Sequence, residues 1–181
     1  MKRILIIIDC QNDFCKEGGV LANKECIKAV DDLCENFNRI WDRDTEVFVT
    51  RDTHFRNSYL NTVEGKHLPI LHCVQDSAGW CLRDDLAAKL DKLNINYSYV
   101  DKNTFGYNNW KEIIGPIPYG DAEINLVGVC TDICVVTNAL LLKTLYPEAE
   151  ISVYTAYTAG TSVEAHEAAI KTMKSCHINC I

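Results

Sequence analysis

Lys2-Arg3-Ile4-Leu5-Ile6-Ile7-Ile8-Asp9-Cys10-Gln11-Asn12-Asp13 carries an apolar run that stops at a carboxylate. Five consecutive branched apolar residues, Ile4–Ile8, suit a strand buried on both faces, the condition of a parallel sheet covered by helices. The run is too short to span a bilayer, and it gives way to Asp9, Gln11, Asn12 and Asp13 without a small-residue cleavage site. It therefore reads as a first strand and not as a signal peptide.

Beyond that strand, apolar runs alternate with helical periodicity. Ile27, Val30, Cys34, Phe37 and Trp41 recur at steps of three and four, the stripe of a helix laid on a sheet. Glu46–Thr50 reads as a second strand, and the segment from Arg51 to about Trp80 has little period, which in a compact domain marks a functional loop. Leu82, Leu86, Leu90 and Leu93 predict a helix, Tyr97–Val100 a third strand, and Tyr107, Trp110 and Ile113 or Ile114 a short helix ended by Gly115-Pro116. Ile124–Val129 is a fourth strand, Asp132–Leu145 a helix, and Ile151–Tyr154 a fifth strand. Thr161-Ser162-Val163-Glu164 reads as a capping box opening a helix to about Ser175, and Ile178–Ile181 as a last strand. The series predicts an α/β fold: three layers, α/β/α, around a mainly parallel, Rossmann-like sheet of about six strands, in one domain over residues 1–181.

The 181 residues hold 18 Lys+Arg against 25 Asp+Glu, a net charge of −7, which disfavours a nucleic-acid backbone as partner. No membrane partner is expected either. The ten cysteines form no paired C-x-x-C knuckles, so a disulfide framework or zinc finger is a poor reading. They are taken as reduced, in a cytoplasmic protein, most of them small buried hydrophobes.

In open α/β sheets ligands bind outside the carboxyl ends of the strands. Strand one ends in Asp9, strand two in Asp52-Thr53-His54, strand three in Lys102, and strand four in Cys130-Thr131-Asp132-Ile133-Cys134. Any one of these could be an ordinary polar cap or core residue, but together their types are complementary. A Cys134 thiol in the first turn of a helix lies where the helix dipole and free N–H groups favour a thiolate. Lys102 would favour it further, and Asp9 could accept and return its proton, as nucleophilic acyl transfer requires. Asp52 and His54 form a plausible metal pair. His72 and Glu64 would complete a set of N and O ligands suited to Zn²⁺, Mn²⁺ or Fe²⁺, with His67 competing with Glu64 for the fourth place.

Asp9-Cys10-Gln11-Asn12-Asp13-Phe14 followed by Gly18-Gly19-Val20-Leu21, Thr50-Arg51-Asp52-Thr53-His54, His72-Cys73-Val74-Gln75, Lys102-Asn103-Thr104-Phe105-Gly106 and Gly128–Val135 occur in this order along the chain. This series resembles the nicotinamidase and isochorismatase-like cysteine hydrolases, and the five segments together are far more specific than any one of them. The resemblance implies a triad of Asp9, Lys102 and Cys134, and a cis peptide between Val129 and Cys130. It further implies an oxyanion hole of the Cys130 and Cys134 backbone N–H groups, and a flat-ring site walled by Phe14, Phe105 and Tyr107. The implied activity is hydrolysis of a small carboxamide, nicotinamide first, with one divalent ion, Zn²⁺ foremost. A homo-oligomer is left open. Many nicotinamidases carry Trp-Pro shortly before the second metal histidine, whereas Leu68-Pro69 stands here, so the missing aromatic wall is sought in Trp80. Two readings compete: an isochorismatase-type or other amide substrate on the same fold, and a non-enzymatic thiol or metal protein with Cys130 and Cys134 as a redox pair.

Overall fold

The computed structural model describes residues 1–118 and 120–181. Strands β1 (Lys2–Ile8), β2 (Thr45–Asp52), β3 (Tyr97–Lys102), β4 (Ala122–Val129), β5 (Glu150–Ala159) and β6 (Asn179–Cys180) form one sheet in the order β3-β2-β1-β4-β5-β6. Every pairing in it is parallel. Helices α1 (Asn12–Cys15), α2 (Lys24–Asn36), α3 (Val63–His67), α4 (Asp84–Lys92), α5 (Trp110–Ile114), α6 (Val136–Leu145) and α7 (Val163–Ser175) complete the chain.

The apolar run of β1 is buried throughout because both of its faces are covered. Ile4, Ile6 and Ile8 pack with Trp110, Ala139 and Leu142 from α5 and α6, while Leu5 and Ile7 pack with Val30 and Leu33 of α2 and Leu86 and Leu90 of α4. This is the expected three-layer arrangement. No helix among the described residues is long and apolar enough to cross a membrane.

Four local expectations are corrected. The first long helix ends at Asn36, where the Asn36 side chain caps back onto the Asp32 carbonyl at 2.9 Å, so Phe37 lies in a 3-10 turn and Trp41 beyond it. The helix expected from Asp132 is a π-turn over Thr131–Val135 followed by α6, with the Val135 N–H reaching the Cys130 carbonyl at 3.1 Å. Strand β5 runs past Tyr154 to Ala159, because Thr155, Tyr157 and Thr158 continue its β-forming sequence. Ser162, not Thr161, caps α7 by accepting from the Ala165 N–H at 3.1 Å; Thr161 is engaged by Asp132 instead.

Since β1 sits between β2 and β4, the chain leaves its central strands in opposite directions on either side of it. A crevice opens at such a reversal, beyond the carboxyl ends of β1 and β4. Asp9 and Cys130 are the first residues past those ends.

Candidate active site

Asp9 follows β1 in a left-handed backbone conformation, φ 48°, and is fully buried. Thr50 of β2 fixes it twice: the Asp9 N–H donates to Thr50 Oγ1 at 3.0 Å, and that hydroxyl donates to Asp9 Oδ1 at 2.6 Å. The other carboxylate oxygen, Oδ2, lies 2.6 Å from Lys102 Nζ, at the end of β3. Lys102 Nζ in turn donates to Cys134 Sγ at 3.6 Å. The three side chains read from separate strand ends thus meet in one buried cluster.

Burial raises the Asp9 carboxyl above the usual carboxylate range, with Lys102 pulling it back and the Asp52 charge adding to the rise. Burial disfavours a charged Lys102, but the Asp9, Cys134 and Asp52 charges outweigh it and hold the ammonium strongly protonated. Cys134 is pushed well above an ordinary thiol by burial, against the pull of Lys102 and with the Asp9 charge adding to the rise. Burial thus favours the neutral thiol, and a proton moving from sulfur to Asp9 would leave a thiolate facing Lys102.

Cys134 lies inside the π-turn, and the Val129–Cys130 peptide is cis. The neighbouring Cys26 thiol, with burial, holds the Cys130 thiol far above the ordinary thiol range. All ten cysteines are free thiols.

Beside this cluster, one donor atom each from Asp52, His54, Glu64 and His72 falls within 4.8 Å of all the others. His54 Nε2 is 2.9 Å from Asp52 Oδ2 and 3.5 Å from Glu64 Oε1, while His72 Nε2 is 3.4 Å and 3.7 Å from the same two oxygens. Two ligands of a tetrahedral ion are about 3.4 Å apart when each is about 2.0–2.1 Å from it, so the donor set fits a divalent metal. His72 Nδ1 donates to the Ile70 carbonyl at 2.8 Å, which turns Nε2 toward the two carboxylates. His54 and His72 are held in register by a bridge between His54 and Val74, with the His54 N–H on the Cys73 carbonyl at 3.0 Å. Asp52 is held below the usual carboxylate range: burial opposes its charge, and hydrogen bonds from both histidines with the nearby Lys102 overcome that. Lys102 Nζ is 3.9 Å from Asp52 Oδ1, so the two clusters touch.

A cavity of about 1020 Å³ opens onto both clusters, with Phe14, Leu21, Phe55, Leu68 and Phe105 among its apolar walls and Cys134, His54 and His72 among its polar ones. His67 lines its mouth but is not one of the four clustered donors. Two expected walls lie elsewhere. Tyr107 packs edge-on against Trp110 at 5.2 Å, and Trp80 donates its indole N–H to Thr53 Oγ1 at 2.9 Å with the Arg51 guanidinium stacked 3.6 Å from its ring. Phe55, Leu21 and Leu68 were missed as walls. So were two buried amides, Gln11 and Asn138. Gln11 accepts from the Asp52 N–H at 2.7 Å and donates to its carbonyl at 2.9 Å.

A family model described as the isochorismatase domain matches residues 3–181. The chain belongs to the isochorismatase family. No curated protein sequence matches it significantly. Among solved structures, this isochorismatase-family chain is similar to a nicotinamidase/pyrazinamidase from Bacillus subtilis, with a TM-score of 0.81, 23% identity and 99% of each chain covered. It is likewise similar to a pyrazinamidase/nicotinamidase from Streptococcus mutans, TM-score 0.82 and 22% identity, over 99% of this chain and 100% of that one. A pyrazinamidase of Pyrococcus horikoshii in complex with zinc matches with a TM-score of 0.76 and 22% identity, covering 100% and 99%. The six-stranded parallel sheet flanked by helices is the fold these structures share with the isochorismatase-family chain.

Proposed function

We propose that this chain is a single-domain cytoplasmic amidohydrolase, residues 1–181, that cleaves the carbon–nitrogen bond of a small carboxamide, nicotinamide first, to the carboxylic acid and ammonia. The observation that carries the reading is Lys102 Nζ set between Asp9 at 2.6 Å and Cys134 at 3.6 Å, beside a cavity onto which the thiol opens. The names of the B. subtilis and S. mutans structures support the substrate.

In this reading Asp9 takes the thiol proton as Cys134 sulfur bonds to the amide carbon, and the Cys130 and Cys134 N–H groups receive the oxyanion. Asp9 then gives that proton to the departing nitrogen as the C–N bond breaks, leaving a thioester and ammonia. Water next attacks the thioester while Asp9 accepts its proton; the C–S bond breaks, the acid leaves, and the proton returns to sulfur. Lys102 stabilises each anion as it forms on its two neighbours. Phe14 and Phe105 would flank a flat ring. Asp52, His54, Glu64 and His72 would hold one divalent ion, Zn²⁺ foremost as in the P. horikoshii complex, with Mn²⁺ or Fe²⁺ as alternatives. When bound, that ion supplies a Lewis-acidic anchor that orients the substrate.

The redox-pair reading is less well supported, because the Cys130 thiol engages Cys26 and the Cys134 thiol engages Lys102. The test is ammonia release from a panel of amides, with metal content measured on the same sample and Cys134→Ala as control. Release from no amide by metal-replete protein would overturn the proposal.

A further inference from the structure

Asn138, on the first turn of α6, is fully buried and has no place in the chemistry above. Its carboxamide nevertheless meets the full hydrogen-bonding capacity of the group. Oδ1 accepts from the Tyr107 N–H and from the Trp110 indole N–H, each at 2.9 Å, and Nδ2 donates to the Cys134 carbonyl at 2.8 Å and the Phe105 carbonyl at 3.1 Å. Only one orientation of the amide works: flipped, it would set its NH₂ against two donors and its oxygen against two carbonyls.

These four partners join two parts of the site. Cys134 belongs to the π-turn, while Phe105 and Tyr107 belong to the loop that leaves Lys102 and returns at Trp110. Phe105 is 44% exposed, so its ring has little packing of its own to hold it against the cavity. What holds it is the backbone beneath. At Gly106 the loop lies so close to α6 that a Cβ would come within 2.5 Å of Leu141 and 2.7 Å of Thr137, and Asn138 pins the loop on both sides of that glycine.

We propose that Asn138 is a positioning residue that sets the Phe105 wall relative to the Cys134 nucleophile, and so governs how well a flat-ring substrate is held against the sulfur. The proposal rests on the hydrolase reading only for the identity of that substrate. It acts through Phe105, so its effect should be confined to ring-bearing ligands and should vanish when the ring is removed.

The test uses the full chain as purified, in wild type, Asn138→Ser, Phe105→Ala and the double variant. Each is alkylated with iodoacetamide, which has no ring, and with 3-(bromoacetyl)pyridine, which has one, and modification is read on the Cys134 peptide by mass spectrometry. Asn138→Ser is expected to slow the pyridine reagent about fivefold or more while changing iodoacetamide by less than about twofold, and to add nothing further in the Phe105→Ala background. With nicotinamide, its KM should rise more than its kcat falls. If Asn138→Ser does not fold, Asn138→Asp, which keeps both accepted bonds, is expected to show the same ring-selective loss. Equal slowing of both reagents in a folded variant, or an undiminished effect in Phe105→Ala, overturns the proposal. A wild type that turns over no amide yet shows the ring-selective pattern overturns the hydrolase reading and leaves the positioning role standing.

Discussion

Lys102 Nζ lies 2.6 Å from Asp9 Oδ2 in an ion pair with both side chains sealed from solvent. An ion pair so buried contributes little net stability, but removing one partner strands the other's charge in the interior, which costs about 3–5 kcal/mol. Lys102→Met is therefore expected to lose stability of that order in urea denaturation, along with most ammonia release. The pH dependence has a definite sign. Burial already raises Asp9, and without Lys102 its folded pKa rises further above the unfolded value. Protonation then relieves the stranded charge, so the deficit should be largest near neutral pH and shrink on acidification toward the ordinary carboxylate range. A deficit that grows on acidification would contradict the assignment.

The roles proposed for Cys134 and Cys130 differ, although both residues border the cavity. Cys134→Ala should abolish turnover, a loss of about 10³-fold or more, with fold and metal content intact. Cys130→Ala should retain much of the activity, because its proposed contribution is a main-chain N–H that a side-chain change leaves in place. Steady-state kinetics showing the reverse pattern would overturn the nucleophile.

His54→Ala removes a donor that lies within 3.5 Å of the Asp52 and Glu64 carboxylates and should abolish metal binding, measured as stoichiometry by elemental analysis. Glu64→Gln, at the more open side of the cluster, should weaken binding without abolishing it. His67→Ala should leave stoichiometry unchanged, since His67 is outside the four-donor group.

How much of this was legible follows from the range of each signal. The sheet could be read because the apolar run of β1 and its like are local, and the strand ends then place Asp9, Lys102 and the Cys130–Cys134 segment at one edge. The metal cluster could be read as residue types, since two histidines and two carboxylates share one loop-rich stretch. Side-chain direction could not. Tyr107 and Trp80 looked like cavity walls, but each is claimed by a neighbour, Trp110 and the Thr53–Arg51 pair respectively. Thr50 and Asn138 looked like ordinary strand and helix residues because their partners Asp9 and Phe105 are 41 and 33 positions away.

Thr50 makes that hidden layer testable. Its hydroxyl serves both the N–H and the carboxylate of Asp9, so Thr50→Val, nearly isosteric, leaves a buried donor and acceptor without their partner. The cost is about 1–3 kcal/mol. Activity should fall by about tenfold or more because Asp9 is no longer fixed toward Cys134, and Thr50→Ser, which keeps the hydroxyl, should restore most of it. Equal losses in both variants would show that the hydroxyl does not act.

Gly128 sets the spacing between the two strands that lead into the proposed nucleophile and its proposed base. It pairs with Ile8 in the β1–β4 register, one residue before Asp9 and two before Cys130. Its φ of +110° lies where L side chains are rarely found, and a Cβ there would come within 2.1 Å of the Ile8 carbonyl oxygen. That neighbour is backbone in the central strand and cannot rotate away. Gly128→Ala must therefore bear the strained conformation, about 1–3 kcal/mol, and also push β4 from β1 at the crevice. The expected result is a stability loss of about 3 kcal/mol or more, read in urea denaturation. In whatever fraction stays folded, displacement of Asp9 from Cys134 should lower kcat more than it raises KM, because the misplaced groups act on the reacting bond and not on the ring. Full stability in Gly128→Ala would mean that the approach of the two strands is looser than the structure shows.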